Sequence, residues 1–139
     1  MSDQVQLVTS GKLPTPAGPY SPATVAGNLV FVSGQGGRDP STGQLAGPDV
    51  EAQTEQTLKN IAAILEAAGS GLSDVLRCGV FLVDIMEFPR MNEVYARMFG
   101  YHRPARTTVE VSNLPGAGMR VEIDAIALIP VKAGSETHV

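Results

Sequence analysis

Apolar and polar positions alternate most cleanly near the C-terminus of this chain. Val121, Ile123, Ala125, Ala127 and Ile129 fall on one side of an extended segment, and Glu122, Asp124, Ile126 and Leu128 on the other. The first set is wholly apolar and is expected to meet the core. The second set begins with two carboxylates and ends with two aliphatic side chains, so its far half is unsuited to water. Arg106–Val111 splits in a similar way, with Thr107, Val109 and Val111 on one side and Arg106, Thr108 and Glu110 on the other. Val75–Asp84 (VLRCGVFLVD) is apolar on both sides, the mark of a central or doubly covered strand. Gly27-Asn28 is a turn signal before the β-rich Leu29–Val32, so a hairpin is expected to close there.

Two segments follow the helical period instead. Over Asp49–Ala68, residues Leu58, Ile61, Ala62, Leu65 and Ala68 form one stripe; Asp49 is a suitable N-cap and Gly69 follows the last turn. Over Phe88–Phe99, residues Met91, Val94, Tyr95 and Met98 form another, with Pro89 in the first turn and Gly100 at the end. Ser33–Gly47, dense in Gly, Pro, Ser and Asp, is expected to be a loop, and the turn Ser112–Gly118 is expected to join the last two strands. The order strand, strand, helix, strand, helix, strand, strand implies an α+β fold, with two helices on one face of a mixed sheet. Residues 1–130 are expected to form one domain and 131–139 a polar C-terminal tail.

With only two helices available, the opposite face of the sheet needs another cover. A second copy of the chain is the simplest one, so a homo-oligomer is expected, with Glu122 near the mouth of the interface.

Composition narrows the function classes. The chain has 139 residues, 43% hydrophobic and 17% charged, with a net charge of −4. That suits one core, and the Lys and Arg residues are scattered rather than gathered in a basic stripe, which disfavours nucleic acid as a partner. No apolar run approaches the roughly 18 residues needed to cross a bilayer, and the N-terminus lacks a secretory pattern, so the expected location is the cytoplasm, away from membranes. The single cysteine, Cys78, cannot form an internal disulfide, and with two histidines it makes a poor zinc set. No CxxC, HExxH, GxSxG or Walker-type motif occurs, so no metal and no cofactor are expected.

The candidate chemistry rests on Arg106 and Glu122. If the last two strands paired as a hairpin, the two groups would lie close on the face away from the helices. Spacing alone favours a structural ion pair. The functional reading beside it is a cleft in which a guanidinium receives a planar carboxylate through two charge-assisted hydrogen bonds while a glutamate activates water. Cys78 reads as a core thiol, and His102 as a solvated or structural loop residue. The SGQGG stretch lacks the lysine and the following helix of a phosphate loop.

Five segments, in order, resemble the RidA family, also called YjgF or L-PSP: GPYSPA at Gly18–Ala23, VFVSGQ at Val30–Gln35, NEVY at Asn92–Tyr95, PARTTVEV at Pro104–Val111 and VEIDAIA at Val121–Ala127. The resemblance spans about Pro16 to Ile129. It implies a chorismate-mutase-like fold assembled as a homotrimer, the sheets lining an inner barrel with clefts between subunits. It further implies hydrolysis of reactive 2-imino acids, such as 2-iminobutanoate and 2-iminopropanoate, to 2-oxo acids and ammonia. On this resemblance Arg106 holds the substrate carboxylate and Glu122 positions the attacking water. Tyr20, Ser33, Gly34 and Asn92 line the cleft, and Thr108 contacts ligand through its backbone. Thr108 stands where many relatives carry cysteine, so no thiol is expected there, and Thr107 is larger than the Ser or Ala usual after the arginine. Other activities attached to the family are carboxylate binding without hydrolysis, RNA cleavage with inhibition of translation, and a holdase role.

Overall fold

The computed structural model describes residues 4–11 and 13–131. The 131–139 tail assigned above therefore lies, beyond Val131, outside the described residues. Six strands form one sheet: β1 (Gln6–Val8), β2 (Ala23–Ala26), β3 (Leu29–Gln35), β4 (Val75–Leu82), β5 (Ala105–Glu110) and β6 (Val121–Leu128). Among the described residues, two α-helices, α1 (Val50–Ala67) and α2 (Phe88–Phe99), and two short 3-10 turns (Leu72–Asp74 and Ile85–Glu87) accompany the sheet. The strand order is β1-β2-β3-β6-β4-β5. All neighbours are antiparallel except β4 and β5, which run parallel, as strands joined through a helix can. The α+β class and the mixed sheet with two helices on one face are as expected from the sequence.

Local chemistry sets the element ends. Asp49 caps α1 by accepting a hydrogen bond from the Ala52 amide at 3.0 Å. Gly69, at φ 85°, turns the chain out of the helix, a conformation glycine adopts without a Cβ clash. The hairpin between β2 and β3 turns at Gly27, φ 60°, where the sequence placed it.

The core lies between the sheet and the helices. Val121, Ile123, Ala125 and Ala127 of β6 are buried there, with Val30, Val32, Cys78, Val80 and Leu82 beside them. Leu58, Ile61 and Leu65 of α1 and Met91, Val94 and Tyr95 of α2 face them; Met98 is half-buried, and Phe99 takes the last fully buried place. The buried side of α1 is more polar than its apolar stripe suggests, because Gln53, Thr54, Thr57 and Asn60 are buried too.

Three sequence expectations need correction. β1 was not anticipated: it is three residues long, too short for a periodic signal. Ser33–Gln35 continues β3 rather than opening the loop. Most consequentially, the last two strands do not form a hairpin. β6 inserts between β3 and β4, and β5 lies on the sheet edge beyond β4. A turn as short as Ser112–Gly118 looked like a hairpin loop, but parallel pairing of β5 with β4 commits β5 to the edge and leaves the slot beside β3 for β6.

Candidate active site

The topology separates the two principal side chains. Residues directly paired across strands share a face. Arg106 pairs with Cys78 and Thr108 with Val80, so both lie on the helix-covered face, at its open edge under α2. Glu122 pairs with Phe81 and Asp124 with Gly79, which places both on the opposite face. Within one chain Arg106 and Glu122 are therefore neither an ion pair nor neighbours, and the polar set of β5 does not lie on the uncovered face. Thr107 and Val109 lie there instead, exposed.

On the helix side, Arg106 is held by α2. Its Nη2 donates to Asn92 Oδ1 at 2.7 Å, and its guanidinium carbon lies 4.7 Å from the Tyr95 ring centre and 5.5 Å from that of Phe88. Arg106 is half-buried and has no carboxylate partner among the described residues. Tyr95 is buried, its hydroxyl beside the Cys78 thiol without reaching hydrogen-bond geometry. Burial pushes up both the Cys78 and the Tyr95 pKa, so both stay protonated at neutral pH. This makes Cys78 the inert core thiol expected. His102 is also structural, its Nε2 2.6 Å from the Val75 carbonyl.

On the other face, Glu122 lines a pocket of about 260 Å³ together with Tyr20, Gly34, Gly36, Arg38 and Met119. Gly34 is required there by space: a Cβ would land on the Glu122 carboxylate, with Cδ only 2.9 Å away. The carboxylate has no hydrogen-bond or ion-pair partner among the described residues. Burial, and then the nearby Asp124 charge, hold its pKa above the ordinary glutamate value. Asp124 is committed otherwise, accepting the Gly79 amide at 2.8 Å.

Ser33 acts through its contacts. Its Oγ donates to the Ser21 carbonyl at 2.7 Å and its amide to the Pro22 carbonyl at 2.9 Å, which anchors the proline-rich segment carrying Tyr20. The Tyr20 hydroxyl in turn accepts the Ala17 amide at 3.2 Å. The sequence-predicted residues thus fall into two groups: Tyr20, Ser33, Gly34 and Glu122 on one face, and Asn92, Arg106 and Thr108 on the other.

Sequence reasoning missed the supports of both groups. Gln53 donates to the Gly47 and Gly118 carbonyls, both at 2.9 Å, and accepts the Arg120 amide at 2.7 Å. Asn60 donates to the Arg38 carbonyl at 2.8 Å. Together they tie the two loops that wall the pocket to α1. Phe88 and Tyr95 around Arg106 were read as a helix start and a core aromatic. The signal available was the spacing of Phe88, Asn92 and Tyr95, four and three apart, which puts an amide and two rings on one side of a helix. Among the described residues no group of three or more His, Cys, Asp and Glu side chains is arranged to hold a metal, and no helix is long and apolar enough to cross a membrane.

Comparison with known proteins agrees with this architecture. The model of the family described as endoribonuclease L-PSP matches residues 10–129. A RutC family protein from Pyrococcus horikoshii is 49% identical over 122 residues, covering 88% of this chain and 96% of the relative. A human protein named 2-iminobutanoate/2-iminopropanoate deaminase is 40% identical over 123 residues, covering 88% of this chain and 89% of the relative. The crystal structure of RidA from an Antarctic Psychrobacter superposes with a TM-score of 0.84 at 43% identity, covering 89% of this chain and 99% of that one. The chain belongs to the RidA/YjgF/L-PSP family.

Proposed function

We propose that the protein hydrolyses 2-imino acids, of the 2-iminobutanoate and 2-iminopropanoate type, to 2-oxo acids and ammonia, at a site completed between two copies of the chain. The observation that carries this reading is a pair of uncommitted groups. Among the described residues, Arg106 is a guanidinium held in place without a carboxylate, and Glu122 is a carboxylate without a cation. They face opposite sides of one sheet, so a ligand can meet both only if one copy supplies the arginine and another the glutamate. The half-apolar outer face, with Phe31 41% and Val109 40% exposed, favours such an assembly, as a homotrimer in this reading. Relatives named as imine deaminases at about 40% identity support the choice of reaction.

The chemistry needs no more than these groups. Arg106 would grip the substrate carboxylate through paired N–H donors, fixing the adjacent iminium carbon. Glu122 would take a proton from water as its oxygen bonds to that carbon and the C=N π pair moves to nitrogen. The raised pKa of Glu122 matches a group that must both accept and return a proton. Returning it to the amino group of the carbinolamine converts that group to a leaving ammonia. The C–N bond then breaks, the C=O bond forms, and the hydroxyl proton departs with the base. Tyr20 and Gly34 would shape the cleft around the reacting carbon, and Thr108 would contribute its backbone beside Arg106.

The test is direct. An amino-acid oxidase generates 2-iminopropanoate from alanine, and its decay is followed with and without the protein. Acceleration by wild type that Arg106→Ala reduces by about 10²-fold or more supports the reading; an Arg106→Ala variant as fast as wild type sinks it. Assay of the same preparations on single-stranded RNA separates imine hydrolysis from the ribonuclease activity in the family's description.

A further inference from the structure

We infer that Phe88 and Tyr95 are positioning residues that hold the Arg106 guanidinium in place while leaving its charge and its hydrogen-bonding fork free for a ligand carboxylate. The inference rests on the imine-hydrolysis reading for its kinetic consequence, but its physical basis is independent of it. Arg106 sits on an edge strand, where a long side chain has many rotamers and each costs entropy to exclude. The usual way to fix such a side chain is a neighbouring Asp or Glu. That solution would neutralise the cation and occupy the donors that bind a carboxylate. Here two rings and one amide do the work instead. The rings lie 4.7 and 5.5 Å from the guanidinium carbon and attract the cation through their faces without accepting a conventional hydrogen bond. Asn92 Oδ1 accepts from Nη2 alone. Among the described residues that is the one hydrogen bond the Arg106 side chain makes, so of the five N–H donors of a guanidinium four remain, enough for a two-pronged grip on a carboxylate.

All three supports come from one side of α2, and the buried stripe of that helix anchors them. Met91 anchors α2 in the core, and Tyr95 is itself 5% exposed, so the ring beside Arg106 has little freedom. The Tyr95 hydroxyl lies near both the Cys78 thiol and the Arg106 guanidinium but reaches hydrogen-bond geometry with neither. The ring is therefore the functional part of the residue and the hydroxyl is dispensable for this role.

The experiment compares Tyr95→Phe, Tyr95→Leu and Phe88→Leu in the full chain. Two readouts are used: steady-state imine hydrolysis and the Nε–Hε NMR signal of Arg106, which the rings shift. Tyr95→Leu and Phe88→Leu are each expected to raise KM for the imino acid about fivefold, with kcat changed less than about twofold. Tyr95→Phe is expected to match wild type in both readouts. The ring-current shift is expected to shrink in both leucine variants. In an Arg106→Lys background, which keeps a cation but loses the fork, the two leucine substitutions are expected to have a markedly smaller effect on KM. An equal loss in Tyr95→Phe and Tyr95→Leu overturns the inference, as do unchanged KM values in the leucine variants or leucine effects that persist in full beside Arg106→Lys. Phe88 is only half-buried, so Phe88→Leu keeps the test open if Tyr95→Leu fails to fold. A wild type that hydrolyses no imine defeats the enzymatic reading, while the NMR shift still decides whether the rings hold Arg106.

Discussion

Arg106 and Glu122 flank β4 from opposite sides and point to opposite faces of the sheet, Arg106 beside Cys78 and Glu122 beside Phe81. No rotamer change brings them together in one chain, because a pleated sheet lies between them. If both act on one substrate, inactive variants must rescue each other. Co-expression of Arg106→Ala with Glu122→Ala in equal amounts is expected to restore about a quarter of wild-type activity, since one site in four then combines an intact arginine with an intact glutamate. Each variant alone should remain near background. A mixture no more active than its components excludes a site shared between copies.

Glu122 is a partly buried carboxyl without a partner among the described residues, and this has a cost that pH reveals. A carboxyl whose folded pKa lies above its unfolded value holds its proton more tightly in the folded chain. Its contribution to stability is therefore fully present below the unfolded pKa and is lost as pH rises through the folded one. Glu122→Gln is expected to remove this loss, raising stability at pH 7 by about 0.5–2 kcal/mol while cutting imine hydrolysis by about 10²-fold or more. Urea titrations at pH 4 and pH 7 check the first part: the variant should gain over wild type at the higher pH and not at the lower.

The sequence carried the fold further than the site. Alternation in Val121–Ile129 named the buried face of β6 correctly, because β6 sits in the middle of the sheet, where one face meets helices and the other does not. The same logic failed for Arg106–Val111. On an edge strand the helix-side positions are only partly covered, so Arg106 and Thr108 can be polar there, and Thr107 and Val109 can face outward. Pattern alone reads that strand inside out. Strand order was likewise beyond local signals, since insertion of β6 between β3 and β4 depends on pairing across some 90 residues. The buried roles of Gln53 and Asn60 were not legible for the same reason: the Gly118 and Arg38 carbonyls that they satisfy are distant in sequence.

Gly34 leaves the space that the Glu122 carboxylate occupies. Gly34→Ala should displace that carboxylate rather than unfold the strand, because the conflict is with the end of a flexible side chain. Activity is expected to fall about tenfold or more, with the unfolding midpoint changed by less than about 1 kcal/mol. Steady-state kinetics alongside thermal unfolding check the split; a large stability loss with retained kcat would contradict it.

Gln53 makes three hydrogen bonds from a fully buried position, joining α1 to the loops around Gly47 and Gly118. Gln53→Met keeps the volume and removes the bonds, leaving the Arg120 amide and two carbonyls in need of partners. A cost of about 2–4 kcal/mol is expected, seen as a clear drop in Tm. Because both loops wall the Glu122 pocket, KM should rise as well, at temperatures where the variant is still folded.

Phe31 lies on the face away from the helices, 41% exposed, and its strand partner in β6 is Ile126. Leu29 pairs with Leu128 on the same face, so four large apolar side chains adjoin there. In an isolated chain this patch would remain in contact with water, at about 25 cal/mol for each Å² that a partner could cover. An aspartate at position 31 would have to lose its hydration to sit in an apolar interface, which costs several kcal/mol. Phe31→Asp is therefore expected to shift the protein from oligomer to monomer in light scattering, with far-ultraviolet circular dichroism unchanged. If the site is completed between copies, imine hydrolysis should fall with the oligomer and recover at high protein concentration. A monomeric Phe31→Asp variant with full activity would place the whole site within one chain, against the separation of Arg106 from Glu122.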